Sequence, residues 1–214
     1  MGFLSKLFGR GQDESNNALK DAFAGVRRII EDQEYQNSLV PGLSEILKNA
    51  PSVDEIPNAS GPFGLVETNP IPVNGAIGEL AYLSKLQTLA DERILFHRLG
   101  ATKSIDVFEA VTFSGSEWFI FFLDLYHPRR SRKTPQGFKF YDDLGQFSGF
   151  HSFCSNFPYD FIEKKQEQSE SMLSFAYIPI SKVRRQIEDR QFERSLAHKA
   201  KLDMVLSRLS SRQT

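Results

Sequence analysis

The sequence predicts an α+β fold: an antiparallel sheet built on a three-strand meander over residues 93–126, preceded by an N-terminal helical section and followed by a long C-terminal helix. Three observations carry this. Consecutive runs from Arg93 to Leu99, Ile105 to Phe113 and Glu117 to Tyr126 are rich in Val, Ile and Phe and are separated by the turn residues Gly100 to Ser104 and Ser114-Gly115-Ser116. Leu19, Ala22, Phe23, Val26 and Ile30 recur at the spacing of one helical face. From Ser181 onward the apolar residues again follow a helical period, in a segment with nine basic and four acidic side chains.

A chain of 214 residues with net charge −1, 25% charged and 12% aromatic, buries enough surface to fold. It divides into an N-terminal helical section (1–50), a Pro-rich arm or linker (51–75) and an α+β domain ending in a basic helix (76–214). Asp13 or Ser15 can cap the first helix. A short helical pattern around Leu43 to Asn49 is bounded by Pro41-Gly42 and Pro51. Five of the ten prolines lie between Pro51 and Gly75, so this stretch is read as an irregular arm packed on the body, or as a linker. Residues 76–89 fit a helical face through Ile77, Leu80, Ala81 and Leu83. They also allow a strand leading into a hairpin at Ala90-Asp91-Glu92, and helix is the preferred reading.

The tightest meander register sets Leu99 opposite Ile105 and Phe113 opposite Glu117. One face then carries Leu95, His97, Val107, Glu109, Val111, Phe119, Phe121, Leu123 and Leu125, and the other Ile94, Phe96, Phe108, Ala110, Trp118, Ile120 and Phe122. Both faces are apolar, so each needs a cover. Past the sheet, nine aromatics fall within residues 138–161, a cluster that suits a core or a binding surface. A further strand is expected from Met172 to Ile180. The C-terminal helix is expected to run from Ser181 to Ser210 with two apolar stripes, one of Phe192, Leu196, Ala200 and Met204, the other of Val183, Ile187, Leu202, Val205 and Leu209. Two stripes on one helix suit a second partner, hence self-association through this helix as a homo-oligomer.

The longest uninterrupted apolar run is Trp118 to Leu123, too short to span a membrane. The start, Met1 to Arg10, lacks a secretory cleavage site and a complete myristoylation pattern. With one cysteine, Cys154, the chain is no disulfide scaffold, and a cytoplasmic location is expected. Walker A, GxGxxG, GxSxG and zinc-module spacings are all missing, which disfavours nucleotide-driven motors, common serine hydrolases and zinc modules. No cofactor and no metal are implied.

Chemistry concentrates at one end of the sheet. The register above puts Arg98, Asp106 and Asp124 on one rung, where two carboxylates beside a guanidinium suit acid/base work or a plain ion-pair cluster. From there the chain leaves through His127 into a loop holding Arg129, Arg130, Arg132 and Lys133, cations whose geometry suits phosphate or carboxylate. The loop reads equally as a solvated counterweight to acidic neighbours such as Asp142-Asp143. His97 with Glu109 diagonal to it reads as a satisfied core histidine, and Cys154 near His151 as a buried small hydrophobe.

The function expected is therefore a cytoplasmic binding or adaptor protein that recognises an anionic partner or ligand through the loop 129–133, with Arg98 as a further anion-binding residue. The alternative is an enzyme acting on a phosphorylated or anionic small molecule, with Arg98 holding the anion and Asp106, Asp124 and His127 supplying acid, base or ligand. A weaker alternative is single-stranded nucleic-acid binding through the aromatic segment. No nucleic-acid recognition motif supports it, so nucleic acid is a disfavoured partner.

Overall fold

Runs rich in β-branched and aromatic residues make the segment from Ile94 to Asp124 the centre of a sheet. The computed structural model describes residues 24–25, 27–40, 42–47, 49–141, 149–161 and 187–211. Among these, helical residues 27–31 lead into α1 (Gln33–Ser38) and α2 (Leu43–Leu47). Then come β1 (Ile71–Pro72), α3 (Gly75–Ser84), β2 (Leu86–Thr88), β3 (Ile94–Thr102), β4 (Ile105–Thr112) and β5 (Trp118–Asp124). The last elements are β6 (Phe138–Phe140), β7 (Gly149–Phe150) and α4 (Leu196–Ser210). The first helical face at Leu19, Ala22, Phe23 and Val26, the caps Asp13 and Ser15, Asp142-Asp143 and the strand expected at 172–180 lie outside the described residues. No helix among the described residues is long and apolar enough to cross a membrane.

The fold is α+β, but the sheet is mixed rather than antiparallel. Its order is β1-β5-β4-β3-β7; the β3–β4 and β4–β5 pairs are antiparallel, while β1 lies parallel to β5 and β7 parallel to β3. The two parallel edges come from the Pro-rich arm and the aromatic segment. Each is two residues long, and two residues carry no readable period. Residues 76–89 divide between both readings, since α3 ends at Ser84 and β2 follows, pairing antiparallel with β6.

The expected register is also corrected. Ile105 pairs with Asp124 and Asp106 with Leu123, a slip of one position from the expected ladder, so β5 presents the opposite side chains to each face. The cause is the turn: Thr112 N–H donates to Glu117 O at 3.0 Å and its hydroxyl accepts from Glu117 N at 3.1 Å, leaving Phe113 to Glu117 outside the ladder. Between β3 and β4 the bulge after Arg98 shifts the pairing too, but His97 opposite Glu109 keeps these strands on their expected faces.

Each face has its own cover. Phe96, Phe108, Ala110, Phe121 and Leu123 pack under α3, the arm residue Phe63 and the helical residues Ile29 and Ile30. On the other face, Leu95, Val111 and Trp118 meet Phe150, Cys154, Phe157 and Phe161, while Val107, Ile120 and Phe122 meet Val205 and Leu209 of α4. Half of the eight described aromatics of the 138–161 cluster are therefore core: Phe138, Phe150, Phe157 and Phe161 are buried, Phe140 and Tyr141 are half-buried, and Phe153 and Tyr159 are exposed.

The C-terminal helix is shorter than expected. Residues 189–195 leave helical conformation, and α4 begins at Leu196, capped by the Ser195 hydroxyl accepting from His198 N at 3.2 Å. The extended stretch buries Phe192 against Tyr159 and aims Arg194 at the sheet, which a continuous helix does not do. The two stripes part company: Leu202, Val205 and Leu209 face the sheet, while Leu196 (85% exposed), Ala200 and Met204 face outward.

Candidate functional site

The basic loop leaves β5 in an extended path stitched to the strand beside it. His127 N–H donates to Val73 O at 3.2 Å and Ser131 N–H to Pro72 O at 2.8 Å, so β1 fixes where each loop side chain starts. His127 is buried, its Nδ1 3.1 Å from Pro51 O and its Nε2 3.4 Å from Asp124. Burial disfavours its charge, but these two acceptors outweigh burial and raise the imidazole above its ordinary value.

Much of the loop's charge is spent inside the molecule. Arg129 Nε donates to the Ser52 hydroxyl at 2.8 Å and its Nη1 pairs with Asp54, whose carboxylate also accepts from Arg132 N at 2.8 Å. Those two donors hold Asp54 below the usual carboxylate range. Lys133 pairs with Glu55, and its carbonyl accepts from the Tyr82 hydroxyl. Arg130 donates to the carbonyls of Ile30 and Glu31, capping the helical residues 27–31, and its N–H donates to Gln33 Oε1 at 2.7 Å. Burial lowers its guanidinium to about 10, which leaves it charged at neutral pH. Among the described residues, the acidic partners of the loop are thus Asp54 and Glu55 of the arm.

One side of the loop remains turned to solvent. A cleft of about 320 Å³ is lined by Gln33, Lys85, Arg130, Ser131, Arg132 and Phe140. Three of these side chains are cationic, none is acidic, and Arg132 is exposed. Helix α3 delivers Lys85 as the residue after its last turn, α1 delivers Gln33 as its first residue, and β6 delivers Phe140. Such a set suits an anion, which accepts hydrogen bonds from guanidinium and ammonium groups together.

The four-residue acid/base site is not assembled. Arg98 grips Asp106 with two hydrogen bonds, the second at 2.9 Å from Nη2, on the face covered by α3. Asp124 sits opposite Ile105 on the other face, paired with His127. The slip of one position in β5 separates the carboxylates, so Asp106 and Asp124 do not share a substrate, and Arg98 belongs to an internal ion pair rather than to the basic loop.

Two polar clusters within the core were missed or only half seen. Glu109 is buried and accepts from His97 Nε2 at 2.9 Å, His198 Nε2 at 2.8 Å, and Arg194 Nε and Nη2 at 2.6 and 2.8 Å. Burial alone raises a carboxyl, but these donors outweigh it and hold Glu109 far below the ordinary range. His97 Nδ1 accepts from Cys154 N at 2.9 Å, which fixes its proton on Nε2; burial lowers its pKa. Phe157 stacks on the ring at 4.0 Å, and Arg194 lies 4.4 Å from the centroid of Trp118. Cys154 thus meets His97 through its backbone, with its thiol buried. The pairing of His97 and Glu109 is legible in the meander, whereas Arg194 and His198 are brought there by the break before α4.

Glu79 is the second. It lies on α3 with no exposed surface, neither carboxylate oxygen accepts from a donor, and the side chain within hydrogen-bonding reach is the Asp106 carboxylate. Asp106 and Arg98 lie across from it. Ala76, Ile77, Leu80, Ala81, Tyr82 and Leu83 make this helix apolar nearly all round, and that was the available signal that its one acid is buried. Among the described residues no group of three or more His, Cys, Asp or Glu side chains could hold a metal ion. The chain matches no protein-family model, and neither a curated protein nor a solved structure shows significant similarity to it.

Proposed function

We propose that this is a cytoplasmic binding protein that recognises an anionic partner or ligand through the loop 129–133, in the cleft between Lys85 and Arg132. The observation that carries the reading is the cleft itself, three cationic side chains with Gln33 and Ser131, none of the described lining residues being acidic. The roles within the loop differ. Arg129 and Lys133 hold the arm, Arg130 holds the helical residues 27–31 and lines the cleft, and Arg132 meets the anion. Self-association through α4 rests on the outward stripe of Leu196, Ala200 and Met204.

Sulfate serves as a probe. Lys85→Glu and Arg132→Glu are each expected to weaken sulfate binding about tenfold or more, the value of one charge-assisted hydrogen bond. The Arg132→Glu melting temperature should stay close to wild type, because Arg132 is exposed. Arg129→Ala should do the reverse, leaving sulfate affinity nearly unchanged while costing about 0.2–1 kcal/mol through the lost Asp54 pair. Unchanged affinity in both charge reversals contradicts the reading.

A further inference from the structure

Glu79 is the one buried acid among the described residues whose two carboxylate oxygens both lack a donor, the group within hydrogen-bonding reach being another carboxylate, Asp106. A buried polar group without partners costs free energy, and a buried charge costs more. Its surroundings make ionisation worse. Asp106 of β4 lies beside it, gripped by Arg98 of β3 through two hydrogen bonds. Two carboxylates facing one guanidinium leave one negative charge over. A proton on Glu79 removes that charge and supplies a donor aimed at Asp106.

Among the described residues, the other elements against α3 bring no competing cation to Glu79. His151, which follows β7, lies against the Arg98–Asp106 pair, and burial first and then Arg98 disfavour its charged form. From α1 the contact runs through the neutral amides of Gln36 and Asn37, which accept from Asn74 at 2.8 and 2.9 Å just ahead of α3. On α3 itself, Tyr82 is the nearest other titratable group, and its hydroxyl donates to Lys133 O.

That last bond connects the buried acid to the basic loop. Three residues after Glu79, Tyr82 holds the carbonyl of Lys133; six residues after, Lys85 lines the cleft, and its carbonyl accepts from Tyr141 N at 2.6 Å next to β6. Helix α3 thus joins the buried carboxyl pair to the cleft wall. We infer that Glu79 carries a proton in the folded protein, and that losing it shifts α3 toward a hydrated position and slackens the anion cleft. The coupling to the cleft rests on the anion-binding reading above; the proton on Glu79 does not.

The sign follows from linkage. Burial and then Asp106 raise Glu79 well above its ordinary value of 4.5, so the folded state keeps a proton that the unfolded chain has released. This group's contribution to stability is greatest below 4.5 and is lost as pH rises from there to its folded value. Within that window the ratio of folded to unfolded protein attributable to Glu79 falls about tenfold per pH unit.

The test compares the full-length wild type with Glu79→Gln, which mimics the protonated acid, in urea unfolding and sulfate binding from acid to mildly alkaline pH. Sulfate keeps its charge across this range. The expected result is that the stability gap in favour of Gln widens with pH, and that sulfate affinity declines with pH in wild type and stays level in the variant. A parallel pH dependence of stability in the two proteins overturns the inference. So does an infrared spectrum of wild type at neutral pH lacking a protonated-carboxyl band, a readout that holds even if the variant folds poorly. A widening gap with identical sulfate profiles overturns the link to the cleft alone. If sulfate fails to bind wild type at any pH, the anion reading falls and the coupling with it, while the stability gap still decides the proton.

Discussion

Replacing Glu109 with Gln lowers stability by about 3–5 kcal/mol, the cost of removing one partner from a buried ion pair. The carboxylate is the common acceptor for His97, His198 and Arg194, and its side chain is 1% exposed. An amide in its place offers one oxygen where two were used and leaves the Arg194 guanidinium without a counter-charge. The loss should be visible as a lower urea midpoint with an unchanged slope. The pH dependence separates the charge from the shape. Glu109 is depressed below its ordinary value of 4.5, so its contribution is full above that value and is lost as pH falls toward its folded value. The gap between wild type and Gln should therefore narrow in acid. A constant gap would mean that packing, not charge, holds the cluster.

Gly149→Ala is the second large effect. A Cβ at Gly149 would stand 1.7 Å from Cε2 of Phe96, and the next nearest atoms are 2.1 and 2.2 Å away on the same ring. Phe96 cannot withdraw, being fully buried and set edge-to-face on Phe108 with centroids 6.0 Å apart. Overpacking of this kind costs about 1–3 kcal/mol, and here the alternative is to open the parallel pairing of β7 with β3. Hydrogen exchange reads the difference: amides of 149–150 and 96–97 should lose protection while β5 keeps its own. A variant as stable as wild type would show that β7 does not lie where Phe96 places it.

The centre of the sheet was readable because runs rich in Val, Ile and Phe are separated by turn residues across 94–124, and its need for cover on both sides followed from two apolar faces. What failed were properties set by single residues in turns. Thr112 and Glu117 close the hairpin one residue earlier than the tightest loop, and that slip alone parts Asp106 from Asp124. The parallel edges were illegible because two-residue strands such as Ile71–Pro72 have no pattern to read. In the site, the arginine loop stood out by composition. Its partners Asp54 and Glu55, 75 and 78 positions away in the chain, did not, since an arm rich in proline gives no clue to where it lies down. Lys85 escaped notice for a similar reason: only the meeting of α3, β6 and the loop makes it part of a cleft. Arg194 looked like a solvated helix residue, and the bend before Ser195 turns it inward.

The most direct test of the anion-binding account maps sulfate by nuclear magnetic resonance on the full chain at constant ionic strength. The account predicts saturable shifts confined to Gln33, Lys85, Arg130, Ser131, Arg132 and Phe140, lost in the Lys85→Glu, Arg132→Glu double variant. Unsaturable shifts spread over other basic residues such as Lys199 and Lys201, or the same cleft shifts in the double variant, would contradict it.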